Sequence, residues 1–112
     1  DYLETILLLT RKTGSVRSID VVGEMGFSKP SVSVAMKKLR ENEMIAMDAD
    51  GEITLTAKGM TVAERVYDRH ETIYDWLRKN GVSETAAAAD ACRMEHIISE
   101  ETYGVIRSQV DV

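Results

Sequence analysis

Ser28-Lys29-Pro30-Ser31-Val32-Ser33-Val34-Ala35-Met36-Lys37-Lys38-Leu39-Arg40, followed by the run from Met44 to Thr56, MIAMDADGEITLT, is the stretch that decides the fold. Ser28 is a helix N-cap, and Pro30 suits the first turn, where its missing N–H costs no intrahelical bond. Val32, Ala35, Met36 and Leu39 fall at i, i+3, i+4 and i+7, a single apolar stripe, so the spacing predicts a helix from Lys29 to about Asn42. Its opposite side gathers Lys29, Ser33, Lys37 and Arg40, with Ser31 and Lys38 beside them and no carboxylate before Glu41. That face is cationic and hydroxylated. Met44-Ile45-Ala46-Met47 and Glu52-Ile53-Thr54-Leu55 then alternate around Asp48-Ala49-Asp50-Gly51, a hairpin signal, since Asp50 and Gly51 both tolerate positive φ. A hairpin directly after a recognition-type helix is a wing. Asp48, Asp50 and Glu52 crowd its tip, which argues against a grip on phosphate, and the glycine comes too early for a calcium loop.

On the N-terminal side, Tyr2, Leu3, Ile6, Leu7 and Leu9 follow helical spacing, and Thr13-Gly14 closes that segment. Ser18 is the expected cap of a second helix through Ile19, Val22 and Met25, ended by Gly26. With the helix after Ser28, this pair on a tight turn makes a helix-turn-helix. On the C-terminal side, Thr56 caps a long helix from Ala57 to about Lys79, with Ala63, Val66, Tyr67, Ile73, Tyr74 and Leu77 along one stripe. Ser83 starts an alanine-rich helix to Ile98, and Ser99 caps a last one through Tyr103, Ile106 and Val110. The small alanine faces suit close helix approach and a dimer interface. The fold class is therefore mainly α, a winged helix-turn-helix with a two-stranded hairpin over residues 1–62 and a helical domain over 63–112.

The chain has 112 residues, 44% hydrophobic and 29% charged, with a formal net charge of −5. No apolar run approaches the roughly 18 residues of a membrane span, and no basic-then-apolar leader opens the sequence. One cysteine cannot make an internal disulfide, so a reducing cytoplasm is expected. Because residue 1 is Asp rather than Met, the numbering is expected to omit a short leader. At face value −5 disfavours DNA, but the charge is divided. Residues 1–40 carry +3 and residues 41–112 carry −8, which reads as a polyanion-binding head on a body with another task.

Cys92, Glu95 and His96 stand at i, i+3 and i+4, so a thiol, a carboxylate and an imidazole share one helix face. That trio offers soft, hard and borderline ligands to one divalent transition metal. The competing reading is a packed cysteine beside two exposed polar residues. His70 falls on the apolar stripe of the long helix, where an imidazole needs a partner, whether a metal or a hydrogen bond. Asp1 and Glu4 form a further carboxylate pair at i and i+3, although acids are favoured near a helix N-terminus in any case. Enzymatic readings lack support: His70-Glu71 has no second histidine at zinc-protease spacing, and neither a phosphate loop nor a nucleophile elbow occurs.

Taken together, Asp1-Tyr2-Leu3-Glu4-Thr5-Ile6, Ser28-Lys29-Pro30-Ser31-Val32-Ser33, Thr54-Leu55-Thr56, Arg69-His70, and Ala91-Cys92-Arg93-Met94-Glu95-His96 with Ser99 resemble the DtxR/MntR family of metal-dependent bacterial repressors. The resemblance covers essentially the whole chain. It implies a winged helix-turn-helix, a helical dimerisation domain, and a regulatory metal, Mn(II) or Fe(II), bound between them, with Zn, Co, Ni or Cd able to substitute in vitro. The implied ligands are Asp1, Glu4, His70, Cys92, Glu95 and His96. Cys92 matches the iron-sensing branch, whereas Asp1 and Glu4 match the manganese-sensing branch, so the set is a hybrid. Ala88 and Tyr74 stand where the iron-sensing branch has second-site ligands.

The implied DNA contacts are Arg17, Ser28, Lys29, Pro30, Ser31, Ser33, Lys37 and Lys38, mostly to phosphate, with Pro30 and Ser33 at base edges and DNA shape adding specificity. The expected partners are double-stranded operator DNA and a second copy of the chain, with no membrane and no small-molecule substrate. In a homodimer the two recognition helices would enter successive major grooves about 34 Å apart. An alternative is a winged-helix protein-interaction module with a purely structural metal.

Overall fold

The computed structural model describes residues 1–111; Val112, the last residue of the expected helical domain, lies outside the described residues. The elements run α1 (Tyr2–Thr13), α2 (Ser18–Met25), α3 (Lys29–Glu41), β1 (Ile45–Met47), β2 (Ile53–Leu55), α4 (Ala57–Lys79), α5 (Glu84–Ile97) and α6 (Glu100–Val110). This is the expected class, mainly helical with one antiparallel hairpin. The chain divides into a compact unit of Asp1–Glu64 and a second that begins at Arg65.

In the first unit, Leu3, Ile6 and Leu7 of α1, Val21 of α2, Val32 and Met36 of α3, and Ile45 and Ile53 of the hairpin are buried. Each such side chain contributes roughly 1.5–3 kcal/mol of burial. The α3 stripe faces inward as its spacing requires, and Ser28 caps the helix by accepting from the Ser31 amide at 3.3 Å. The hairpin pairs Ile45 with Leu55, Ala46 with Thr54 and Met47 with Ile53. At the turn end of the hairpin, the Ile53 amide donates to the Val16 carbonyl at 2.7 Å.

Two local expectations are corrected. Ser18 does not cap α2. Arg17 occupies the N-cap position, and Asp20 reaches back to accept from the Arg17 amide at 2.8 Å. That is the returning half of a capping box, made without a hydroxyl at the cap. At the hairpin tip only Gly51 takes positive φ, while the Asp48 carboxylate accepts from the amides of Asp50 and Glu52, each at 2.9 Å.

Thr56 closes the wing and opens α4. Its hydroxyl lies 2.6 Å from the Glu43 carbonyl and 3.1 Å from that of Met44, and it accepts from the Gly59 amide at 3.0 Å. Gly59 is buried against Met44, and a Cβ at that position would land on the Met44 carbonyl oxygen.

The second unit is built around Ile73 of α4, Ala91 of α5 and Tyr103 of α6, with Tyr74, Leu77, Met94 and Ile98 packed against them. The small Ala87 and Ala91 are fully buried, so α5 packs closely through its alanine face. At the far end of α4, Trp76 donates to the Gln109 side chain and Lys79 to the Gln109 carbonyl, both at 2.8 Å.

Gly59→Ala separates packing from propensity. Helix propensity alone would stabilise by about 1 kcal/mol, whereas the clash with Met44 should destabilise by about 1–3 kcal/mol. Urea unfolding reads the sign, and a more stable variant would refute the close approach.

Candidate metal centre and nucleic-acid interface

The spacing on α5 aims Glu95 inward. Its side chain is only 1% exposed, with one oxygen 3.5 Å from His70 Nδ1 and the other 3.2 Å from His96 Nε2. A carboxylate at that depth requires donors or cations beside it. The imidazoles come from different elements, His70 from α4 and His96 from the last turn of α5. His70 is 23% exposed, yet its Nδ1 is buried and makes no hydrogen bond. It is a ring nitrogen facing a buried carboxylate, rather than a hydrogen-bonded core histidine. Cys92 is exposed, one helical turn before Glu95 and His96, with a free thiol.

The carboxylates of the first unit are arranged otherwise. Asp1 is the N-cap of α1, where one oxygen accepts from the amides of Leu3 at 2.8 Å and Glu4 at 3.1 Å. Glu4 has a buried Oε2 with no hydrogen-bond partner. His70 and His96 are thus drawn to Glu95, Cys92 stands exposed on α5 and is not gathered with them, and Asp1 is engaged in its own cap.

The donor types fit a divalent transition metal, and a buried carboxylate set between two imidazole nitrogens from different helices is the physical sign of that fit. Both rings approach the carboxylate oxygens themselves. Among the described residues, no group of three or more His, Cys, Asp or Glu stands ready-made around one point.

A second cluster in the same unit escaped the sequence reading. Arg69, beside His70 on α4, donates to Glu100 at 2.6 Å and to the Ile98 carbonyl at 3.0 Å, and its guanidinium lies 4.9 Å from the centroid of the Tyr103 ring. Arg65, one turn earlier, donates to the same Glu100 oxygen at 2.9 Å. The available signal was an i, i+4 arginine pair and an acid directly after the Ser99 cap.

In the first unit Ser28, Lys29, Pro30, Ser31, Ser33, Lys37 and Lys38 are all exposed, as a nucleic-acid face requires. Ser18, Ile19 and Val22 of α2 line a shallow cleft with Lys29 and Ser33 of α3. Arg17 is exposed as well, and its Nε donates to the Asp50 carbonyl at 3.2 Å, tying the wing tip to the start of α2. Among the described residues, no helix is long and apolar enough to cross a membrane.

A winged helix-turn-helix with a cationic recognition face, followed by a helical unit that sets two imidazoles on a buried carboxylate, defines the class of winged-helix regulators. A family model for the iron-dependent repressor metal-binding and dimerisation domain matches residues 56–111. The transcriptional regulator MntR of Escherichia coli O6:H1 is 36% identical over 107 residues, which is 96% of this chain and 69% of that protein. The solved structure of a metal-dependent transcriptional regulator, MtsR, superposes with a TM-score of 0.90 at 24% identity, covering 99% of this chain and 52% of its own. T. acidophilum IdeR gives 0.85 at 24% identity, covering 99% of this chain and 53% of its own. The chain therefore spans about half the length of these two solved structures. The chain belongs to the DtxR/MntR family of metal-dependent regulators. The relatives are transcriptional regulators, not enzymes, which favours the repressor reading over the interaction module.

The arginine cluster has a pH signature. The hydrogen bond from Arg65, with the positive charges of Arg65 and Arg69, holds the Glu100 carboxyl below its ordinary 4.5. A carboxylate with a lowered folded pKa stabilises above its unfolded pKa, and that contribution disappears as pH falls through the folded value. Glu100→Gln should therefore lower the melting temperature at neutral pH, with the gap to wild type closing on acidification below 4.5. A gap independent of pH would remove Glu100 from the ion pair.

Proposed function

We propose that this chain is a metal-dependent transcriptional repressor of metal-ion homeostasis, binding a palindromic operator as a cytoplasmic homodimer when loaded with Mn(II) or Fe(II). The observation that carries this reading is the buried Glu95 carboxylate facing His70 and His96, in a chain with an exposed recognition helix. Residues 1–62 are the DNA-binding domain and residues 63–112 the metal-binding and dimerisation domain. The ligands are His70, Cys92, Glu95 and His96, with Asp1 and Glu4 as further ligands. A bound divalent cation would supply a positive charge for these donors to coordinate.

The four ligands of the second unit differ in chemistry. Glu95 provides a hard anionic oxygen already stripped of water, so little desolvation remains when it binds. His70 and His96 offer imidazole nitrogens of borderline softness, and Cys92 a soft sulfur. Cys92 makes the donor set softer than carboxylates alone, which is why iron stands beside manganese here. ScaR, a manganese-activated repressor, has been solved with Zn2+ and with Cd2+, which supports substitution by these ions in vitro.

On the DNA side, Lys29, Lys37 and Lys38 with Ser28 and Ser31 hold phosphates and set the register, while Pro30 and Ser33 approach base edges. Arg17 adds a charge beside the wing tip. Coupling between metal and DNA is reciprocal, so whichever binds first tightens the other.

Operator DNA recovered by in vitro selection tests this directly. With Mn(II) or Fe(II), affinity should rise by about 5- to 150-fold over metal-free protein. Equal affinities would refute metal dependence. Lys37→Ala should weaken binding to all sequences alike and reduce the salt slope by about one counterion. An unchanged slope would take Lys37 off the phosphate contacts.

A further inference from the structure

Metal ligands that sit on two separate helices work together only if something sets the position of one helix along the other. His70 lies on α4, and Glu95 and His96 lie near the end of α5. Arg69 is the immediate neighbour of His70, and its side chain is only 12% exposed. It reaches the carbonyl of Ile98, the C-cap of α5, just beyond His96. It also reaches Glu100 in the first turn of α6, where the helix dipole favours an acid, and lies over the Tyr103 ring.

The three contacts approach the guanidinium from different directions. They leave α5 little freedom to move relative to this point of α4. One residue of slip along a helix is about 1.5 Å, enough to break a hydrogen bond of ordinary length. That same slip would carry Glu95 away from His70, now 3.5 Å apart.

We infer that Arg69 is a positioning residue for the metal centre: its clamp on the α5–α6 junction sets the separation of His70 from Glu95 and His96. This rests on the metal-site reading given above. Arg69 touches no metal ligand side chain in this role, and acts through the backbone of α5 and the start of α6. The planar fork of arginine is essential, because one face and two edges are used at once. Lysine offers a single flexible ammonium and should hold one contact at a time.

Arg65 is a built-in control. Its side chain is 67% exposed and shares the Glu100 oxygen, and among the described residues the one hydrogen bond of that side chain is to Glu100. Losing it removes charge from Glu100 while leaving the Ile98 contact of Arg69 in place.

The test uses the full chain and two metal probes, Mn(II) for affinity by calorimetry and Co(II) for its visible d–d spectrum. Circular dichroism checks the fold of each variant. Arg69→Met should weaken Mn(II) binding by about tenfold or more and alter the Co(II) band pattern. Arg69→Lys should fall between, and Arg65→Met should match wild type in both. The Co(II) spectrum reports ligand geometry, which a purely structural role for Arg69 would leave unchanged in a folded protein.

A folded Arg69→Met variant with wild-type affinity and spectrum overturns the inference and leaves the metal site intact. If Arg69→Met does not fold, Arg69→Lys decides, and wild-type affinity and spectrum in that variant overturn it equally. Wild-type protein that binds neither ion would instead refute the metal-site reading, and this inference with it.

Discussion

The hydroxyl of Thr56 is the constraint on which the first unit turns. It lies within hydrogen-bond distance of the carbonyls of Glu43 and Met44 and accepts from the Gly59 amide, so the exit of α3, the base of the wing and the first turn of α4 meet at one side chain. Glu43 has a positive φ of 58°. A non-glycine residue in that region costs roughly 1–2 kcal/mol, and the Thr56 bond to its carbonyl is part of what holds it there. Gly59 completes the junction by letting α4 approach Met44 more closely than any side chain would permit. Met44 is also tied back to α3 by its own amide, which donates to the Leu39 carbonyl at 2.9 Å. The recognition helix and the wing are thereby fixed to a common base, which is what a rigid reading head needs.

The second unit is organised by a different problem, a buried carboxylate. Glu95 is buried in the same unit as the core of Ile73, Ala91 and Tyr103, and a polar group at that depth needs partners nearby. The imidazoles answer it on one side. A few residues along the chain, Arg69 and Arg65 gather on Glu100. Two acids on adjacent helices thus receive two kinds of partner, imidazole rings for the buried one and guanidinium groups for the exposed one.

What was legible in the sequence follows from the range of the interactions. Ser28, Ser83 and Ser99 each act within three residues, and all three cap the helices their positions suggest. The stripe Val32, Ala35, Met36 and Leu39 and the alternation around Gly51 are equally local, so the winged helix could be read directly. The α2 cap failed because the returning carboxylate of Asp20 does the work, and Ser18 next to it was the more familiar signal. The Arg69 clamp could not be read at all, since its partners lie 29 and 31 residues away and only folding brings them together. Asp1 shows the opposite difficulty. Its position suits both a cap and a ligand, and local geometry gives one of its oxygens to the cap.

The net charge of −5 is reconciled with a DNA-binding reading by asking what each acid is bonded to. Asp1 caps α1, Asp20 closes the α2 capping box, Asp48 stitches the hairpin turn, Glu95 is buried against imidazoles, and Glu100 is held by arginines. These carboxylates are used locally, by short bonds to backbone amides or cations. The exposed lysines of α3, by contrast, share their helix with no acid before Glu41, the last residue of that helix. Screening confines each exposed charge to a Debye length of about 8–10 Å. A phosphate approaching α3 therefore meets the charge of that face rather than the sum over the chain, and a face of one sign is sufficient whatever the remainder adds up to.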